Sequence, residues 1–480
     1  MNPTRLIVFI GAVAFFSCVS FTLLHNNYLS DLVLHQISDH IIQSGKDPHA
    51  TRLMGTIFYN IPSLLYTITA PVLGMAHPII PSLTAIVASA GLVWLAAGQQ
   101  GASRLWTALF AATIALNPIV LWVATATGGY ALSVLVYACM CIALTRIAEH
   151  QDPGDYLKLG LASALFIFIS PTSIVLCVAM IPWILMLTPR TQSPQTLLAY
   201  YLVVFTPIAM ASLSVSYLNW SKIGHFSPFI APLNIVDTQD FFWNAPLNAH
   251  NFSARLESVP LFMIAAVAFF PVLVLAQPFD STAQKRAFAA ALLSVLTTPL
   301  VAALSGIPYH MLDYLPYLAG PLAMIARQTV PSRRRATLYM QAASVMFAWM
   351  LLSIPGAALP NGWLQAVTGT KIAGYADEKA IAQWIAQHQQ TISVDPVTDY
   401  RIIALANQPD KMVLPANNKH LTTDLASLSQ ALLTRPPGTR LGEIDHLNAL
   451  EPTLWQSGLS GFELAFEHGP YKIWTQAHLP

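Results

Sequence analysis

Asp31, His35 and Asp39 recur every four residues in the stretch Ser30-Asp31-Leu32-Val33-Leu34-His35-Gln36-Ile37-Ser38-Asp39-His40. On a helix that spacing lines them along roughly one face. An aspartate so placed can act as general base when its surroundings present an acceptor hydroxyl to it. The competing reading is structural, with Asp31 capping the helix and Asp39 pointing into water. Leu34, Ile37, Ile41 and the closing Gly45 give the segment an apolar side and a stop, so an amphipathic helix lying on a membrane surface is expected. Lys46, Arg52, Lys222 and Arg255 are the cations available to a phosphate leaving group, with snorkelling or a lipid head-group contact as their alternative use. His310 and Asp313 form a second ionisable pair beside an apolar run, suited to a role at a membrane edge or to mutual pairing. His25, His35, His40 and His49 crowd one segment in a spacing that fits no zinc pattern.

The elements that must position these groups follow from composition. Of 480 residues 55% are hydrophobic and 9% charged, against roughly 25% charged in an ordinary soluble domain, which excludes a water-soluble enzyme. Lys and Arg number 23 against 22 Asp and Glu, so no global field holds nucleic acid. Cys18, Cys139, Cys141 and Cys177 all sit in apolar runs without a Cys-x-x-Cys pair, which argues against a disulfide framework or a zinc-thiolate site.

Stretches of about 20 apolar residues, the length that crosses a bilayer, recur from residue 5 to residue 355. The expected spans are 5–24, 79–98, 105–125, 129–146, 157–170, 172–188, 196–217, 259–277, 287–306, 311–327 and 337–355, about eleven in all. Residues 157–188 are divided at Pro171, because one helix of that length would reach about 48 Å. The first run is too long for a signal peptide and reads as a retained anchor. The stretch 57–75 decides the topology. If it fails to cross, 11 of the 15 Lys and Arg before residue 356 face the cytoplasm and only Lys46, Arg52, Lys222 and Arg255 face outward, whereas a full crossing turns most of the 11 outward. The membrane part is therefore expected at 1–355, with outward loops 25–78 and 218–258.

After residue 356 charged residues return at soluble density, and Pro355, Gly356, Pro360 and Gly362 punctuate the junction. A small outward α/β domain is expected over 356–480. It has helices at 376–389 and near 422–433, short strands at 391–394, 400–405 and 411–414, and a strand pair at 462–466 and 471–474.

Several motifs carry a resemblance. They are Asp31…Gly45-Lys46-Asp47-Pro48, Asn60-Ile61-Pro62-Ser63-Leu64-Leu65-Tyr66, Ala115-Leu116-Asn117-Pro118, Gly160…Ser170-Pro171-Thr172, and Trp455-Gln456-Ser457-Gly458…Gly461-Phe462-Glu463-Leu464. In that order, end to end, the chain resembles the GT-C fold glycosyltransferases, a group that includes the protein mannosyltransferase and aminoarabinose transferase families. The resemblance implies a polyprenyl-phosphate-linked sugar as donor and a lipid, glycan or protein acceptor. It also puts Asp31 at the position of the catalytic acid. The chain departs from the family pattern twice. Thr127-Gly128-Gly129-Tyr130-Ala131 holds no second carboxylate, so a divalent metal, although known in such sites, is not assigned. His310 and Asp313 stand where an arginine would meet the lipid phosphate.

No Gly-rich phosphate loop, Gly-x-Ser-x-Gly elbow or His-Glu-x-x-His is present, so nucleotide donors are not expected. The function expected is inverting sugar transfer at the periplasmic face of an inner membrane, with the N-terminus cytoplasmic. A non-catalytic membrane subunit of polysaccharide assembly or export is the alternative. A transporter ranks third, because nearly all charges sit at span ends.

Overall fold

A computed structural model describes residues 3–44, 60–73, 79–98, 103–170, 173–187, 193–223, 252–276, 278–305, 311–352, 359–395, 398–413, 429–436 and 454–477. The helical part comprises α1 (Pro3–His25), α2 (Asp31–Ser44), α3 (Asn60–Leu73), α4 (Ile79–Ala96), α5 (Arg104–Ala115), α6 (Pro118–Ala126), α7 (Tyr130–His150), α8 (Pro153–Ile169), α9 (Ser173–Ile184), α10 (Pro194–Ile223), α11 (Phe252–Phe269), α12 (Val272–Leu275), α13 (Thr282–Leu304), α14 (Met311–Tyr314), α15 (Ala319–Gln328) and α16 (Arg334–Leu352). The bundle centres on α7, which packs against α4, α8, α13 and α15. Its wholly buried residues include Tyr137, Met140, Cys141 and Leu144.

Among the described residues four helices are long and apolar enough to cross a bilayer alone: Pro3–His25, Tyr130–His150, Pro194–Tyr217 and Thr282–Leu304. Three of them, α1, α10 and α13, turn large apolar side chains outward, as Leu198, Leu202, Met210 and Leu213 do on α10, which is what lipid contact requires of a helix. The protein is a membrane protein. The break expected near Pro171 falls between α8 and α9.

Several expected spans are not single helices: 259–277 is α11 followed by the separate α12, and 172–188 is α9 closed by a 3-10 turn. The stretch 105–125 is the pair α5 and α6, bent by 70°. Pro118 has no N–H to continue the first helix, and Asn117 opens the second by accepting from the amides of Ile119 and Val120. The stretch 311–327 is four residues of α14, a 3-10 turn over Leu315–Leu318 and the short α15. Pro316 and Pro321 interrupt the helical ladder there, and Met311, Leu312 and every residue from Tyr314 to Ala326 are buried inside protein rather than facing lipid.

The bundle has two chemically different ends. At one, Arg5 of α1, Arg146 of α7, Arg327 of α15 and Arg334 of α16 gather around Gly98, which follows α4. At the other end sit α2, α3 and the C-terminal unit, formed by α17 (Asn361–Val367), α18 (Ala376–Gln387), β1 (Ile392–Ser393), α19 (Tyr400–Ala406), β2 (Met412–Val413), β3 (Ala431–Thr434), α20 (Leu454–Ser457), β4 (Phe462–His468) and β5 (Tyr471–Gln476). Its sheet runs β2-β1-β3-β5-β4, with β2, β1 and β3 parallel and β5 antiparallel to both β3 and β4. The β4–β5 hairpin lies where the alternation of residues predicts it. Residues 400–405, expected as a strand, form helix α19. The expected helix near 422–433 ends instead in strand β3, and residues 414–428 lie outside the described part.

Helix α2 does not lie on a membrane surface. Val33, Leu34, Ile37, Ile41 and Ile42 share one buried cluster with Ile381, Ile385, Ile392, Val394, Ile403, Leu433 and Ile473 of the C-terminal unit and with Tyr66 of α3. The apolar residues that suggested an interfacial helix are covered by protein on several sides, so α2 is a strut joining bundle and C-terminal unit.

Candidate functional site

The first turn of α2 sets the site. Ser30 caps the helix, its Oγ accepting from the Val33 amide at 3.2 Å while its O–H donates to the Ala126 carbonyl at the end of α6. Asp31 is therefore not the cap, and its carboxylate is turned to the C-terminal unit. There Arg401 of α19 grips it with two parallel bonds, Nε to Oδ1 at 2.8 Å and Nη2 to Oδ2 at 3.0 Å. The third nitrogen, Nη1, lies 3.5 Å from Oε1 of Glu378 on α18, and Tyr471 O–H donates to that same oxygen at 3.3 Å. The rings of Tyr375 and Tyr400 lie 5.1 and 5.6 Å from the guanidinium carbon, within cation–π reach. Tyr375 also donates to the Leu29 carbonyl, tying the unit to the chain just before α2.

The three charges are nearly dry: the side chains of Arg401, Asp31 and Glu378 are 11%, 13% and 12% exposed. Burial by itself would push the Arg401 pKa down, but the facing Asp31 carboxylate more than reverses it and keeps the guanidinium charged. Burial, reinforced by the Asp31 charge, pushes the Tyr28 and Tyr375 hydroxyls up, so both stay protonated. The arrangement holds the Asp31 carboxylate in one orientation with both its oxygens engaged.

The remaining expected residues divide. His35 stacks on the Tyr400 ring with centroids 3.4 Å apart, one turn from Asp31. Asp39 does not point into water; it is 2% exposed. His40 meets the Tyr66 ring edge-on, and burial lowers its pKa to about 4. Asp313, in α14, is partly exposed, and its carbonyl accepts from Tyr130 O–H at 2.6 Å. His310, Lys46 and Arg52 lie outside the described residues. Lys222 falls in the last turn of α10 and Arg255 in the first turn of α11, and their side chains lie outside the described part. Among the described residues no three His, Cys, Asp or Glu side chains converge, so those residues offer no ligand set for a divalent cation.

The acid-free turn 127–131 has a packing cause. Gly128 has φ +55 and lies against Gln36 of α2, whose Oε1 accepts from the Gly129 amide at 3.1 Å. A Cβ on Gly129 would come within 2.2 Å of Pro62. At Gly129 no side chain fits.

Sequence reading did not find Arg401, Glu378, Tyr375 or Tyr400. One signal was available: Arg401 stands inside the apolar run Tyr400-Arg401-Ile402-Ile403, and an arginine in such a run is seldom buried without a carboxylate partner.

Neither a family model nor a curated protein matches the chain by sequence. Solved structures do match by fold. Against the crystal structure of ArnT from Cupriavidus metallidurans bound to undecaprenyl phosphate the TM-score is 0.53, with 15% identity over 99% of this chain and 98% of that one. The chain has the GT-C fold. The apo structure of the same ArnT gives a TM-score of 0.51, with 14% identity over 97% of both chains. The likeness takes in the C-terminal unit as well as the bundle, so the Asp31–Arg401 junction lies within the shared fold.

Proposed function

We propose that this chain transfers a sugar from a polyprenyl-phosphate carrier to a lipid, glycan or protein acceptor at the end of the bundle covered by the C-terminal unit. The observation that carries this reading is the likeness over almost the whole chain to a protein bound to undecaprenyl phosphate. The distribution of charge supports an orientation in a bacterial-type inner membrane. Arg5, Arg146, Arg327 and Arg333 to Arg335 gather at one end, which the positive-inside rule puts in the cytoplasm, leaving the C-terminal unit periplasmic. The 14 described residues of α3 reach about 21 Å, less than a hydrocarbon core of roughly 30 Å, which supports a re-entrant or interfacial segment.

In this reading the acceptor oxygen attacks the sugar C1 from the face opposite the phosphate. The bond from C1 to the phosphate oxygen breaks, the phosphate leaves with the electron pair, and configuration inverts. Asp31 takes the acceptor proton. Each Asp31 oxygen keeps a second lone pair for this proton, and a shift of the guanidinium toward Glu378, 3.5 Å from Nη1, would raise the basicity of the carboxylate. Lys46, Arg52, Lys222 and Arg255 are the proposed partners of the departing phosphate. Asp39, His35, His310 and Asp313 are secondary candidates, and the burial of Asp39 and the stacking of His35 favour supporting roles. No second acid supports a metal.

The two-oxygen grip of Arg401 on Asp31 favours one other reading, a membrane subunit that keeps the fold without the chemistry. Reconstituted protein supplied with a polyprenyl-phosphate sugar separates the two. Asp31→Asn should lower transfer by roughly 10²-fold to 10⁴-fold, the contribution of a general base, while Arg401→Gln, which spares the carboxylate, should lose far less. Full transfer by Asp31→Asn would remove Asp31 from the chemistry.

A further inference from the structure

The end of the bundle away from Asp31 holds a cavity of about 480 Å³. Arginines from three helices line it, Arg146 of α7, Arg327 of α15 and Arg334 of α16. A fourth, Arg5 of α1, donates through Nη2 to the carbonyl of Gly98, another lining residue, at 2.9 Å. Arg327 lies on the other side of the same glycine, where a Cβ on Gly98 would come within 2.9 Å of its Nη1. The positive charges of Arg5 and Arg146 both act on Arg327.

Four like charges brought together at helix ends repel one another, and partial burial of Arg327 and Arg334 increases the cost. Among the described residues little relieves it at Arg146 and Arg327. Glu149 is the one carboxylate among the described lining residues, and Gln284 donates to it at 3.1 Å. The other described carboxylates of this end are committed elsewhere: Asp152 caps α8, Asp155 holds Lys158 at 2.7 Å, and Asp280 lies 3.9 Å from Arg333. Gln328 and Thr145, bonded to each other at 2.8 Å, add neutral hydrogen-bonding groups to the wall. Guanidinium forks suit phosphate oxygens, and basic pockets between helices at this kind of boundary suit anionic head groups.

We propose that this cavity binds an anionic phosphate group, held by Arg146, Arg327 and Arg334, at a site separate from the one that contains Asp31. The phosphate belongs either to an anionic phospholipid or to a free inorganic or small-molecule anion, and bound there it ties α7, α15 and α16 together through their ends. The site does not depend on the proposed transfer activity.

The full chain in neutral detergent is titrated with short-chain phosphatidylglycerol, short-chain phosphatidylcholine and inorganic phosphate, and the thermal unfolding midpoint is followed. Phosphatidylglycerol should raise the midpoint saturably while phosphatidylcholine does not. A saturable rise with inorganic phosphate at similar concentration identifies the free anion as sufficient, and a rise with phosphatidylglycerol alone identifies the lipid. Arg146→Gln and Arg327→Gln should each weaken the saturable effect about tenfold, as expected for the loss of a charge-assisted bond. If either variant fails to fold, the wild-type titration with added sodium chloride serves instead and should weaken as salt rises. The proposal falls if neither anion gives a saturable rise, if phosphatidylcholine acts as well as phosphatidylglycerol, or if the binding is insensitive to both salt and the substitutions.

Discussion

Replacing Arg401 with Gln removes the group that holds both Asp31 oxygens, at 2.8 and 3.0 Å, where the two side chains are 11% and 13% exposed. Two unit charges about 4 Å apart at an effective dielectric near 20 attract by about 4 kcal/mol, and deleting one member of a buried pair costs about 3–5 kcal/mol. Arg401→Gln leaves Asp31 facing the junction without its guanidinium and should lose about 3 kcal/mol. Asp31→Asn leaves a guanidinium that can still reach Glu378 at 3.5 Å, so about 2 kcal/mol is expected. An Asp31→Asn change is thus not neutral for folding, even though Ser30 and not Asp31 caps the helix. The assay is a double-mutant cycle on thermal or denaturant unfolding of purified protein, with Asp31→Asn, Arg401→Gln and the pair. The double variant should cost less than the sum of the singles by about 2 kcal/mol. Additive losses, with coupling below about 0.5 kcal/mol, would show that the two side chains do not hold each other in the folded protein and would refute the reasoning about the junction.

Acid should weaken the fold at a second place, through His40 of α2 against Tyr66 of α3. Its pKa falls from an ordinary 6.5 to about 4 by burial, so as the pH drops below 6.5 the unfolded chain takes up the proton first and stability declines until about pH 4. At pH 5 the loss should be about 2 kcal/mol, and unfolding midpoints at pH 7 and pH 5 should lie closer together in His40→Gln than in the wild type. Equal pH dependence of the two proteins would contradict this. Gly129→Ala should cost about 1–3 kcal/mol, because its Cβ meets the rigid Pro62 ring at 2.2 Å, whereas Gly11→Ala, with nothing within 4 Å, should leave the midpoint unchanged or higher. A Gly129→Ala protein as stable as the wild type would mean that α3 packs elsewhere.

The sequence by itself determined the features that rest on local chemistry. An apolar run of about 20 residues has no alternative partner as good as lipid or a helix bundle, so α1, α7, α10 and α13 could be read from composition. Alternation with a glycine turn similarly fixed the β4–β5 hairpin around Gly469, whose φ is +56. The prolines at 118, 316 and 321 were visible, yet only the three-dimensional arrangement decided that 105–125 bends and that 311–327 is a short, broken element packed inside the protein. What decides a helix from a strand at 400–406 is the surface it packs on, and α19 packs on α2, far back in the chain. Asp31 was legible as a carboxylate after the first apolar run. Its state was not, because its partner Arg401 lies 370 residues away and Glu378 reaches the same guanidinium from a third helix. Charges so distant in sequence carry no local signature, and their pairing exists only once the C-terminal unit has closed over α2 and excluded the water that would otherwise screen them.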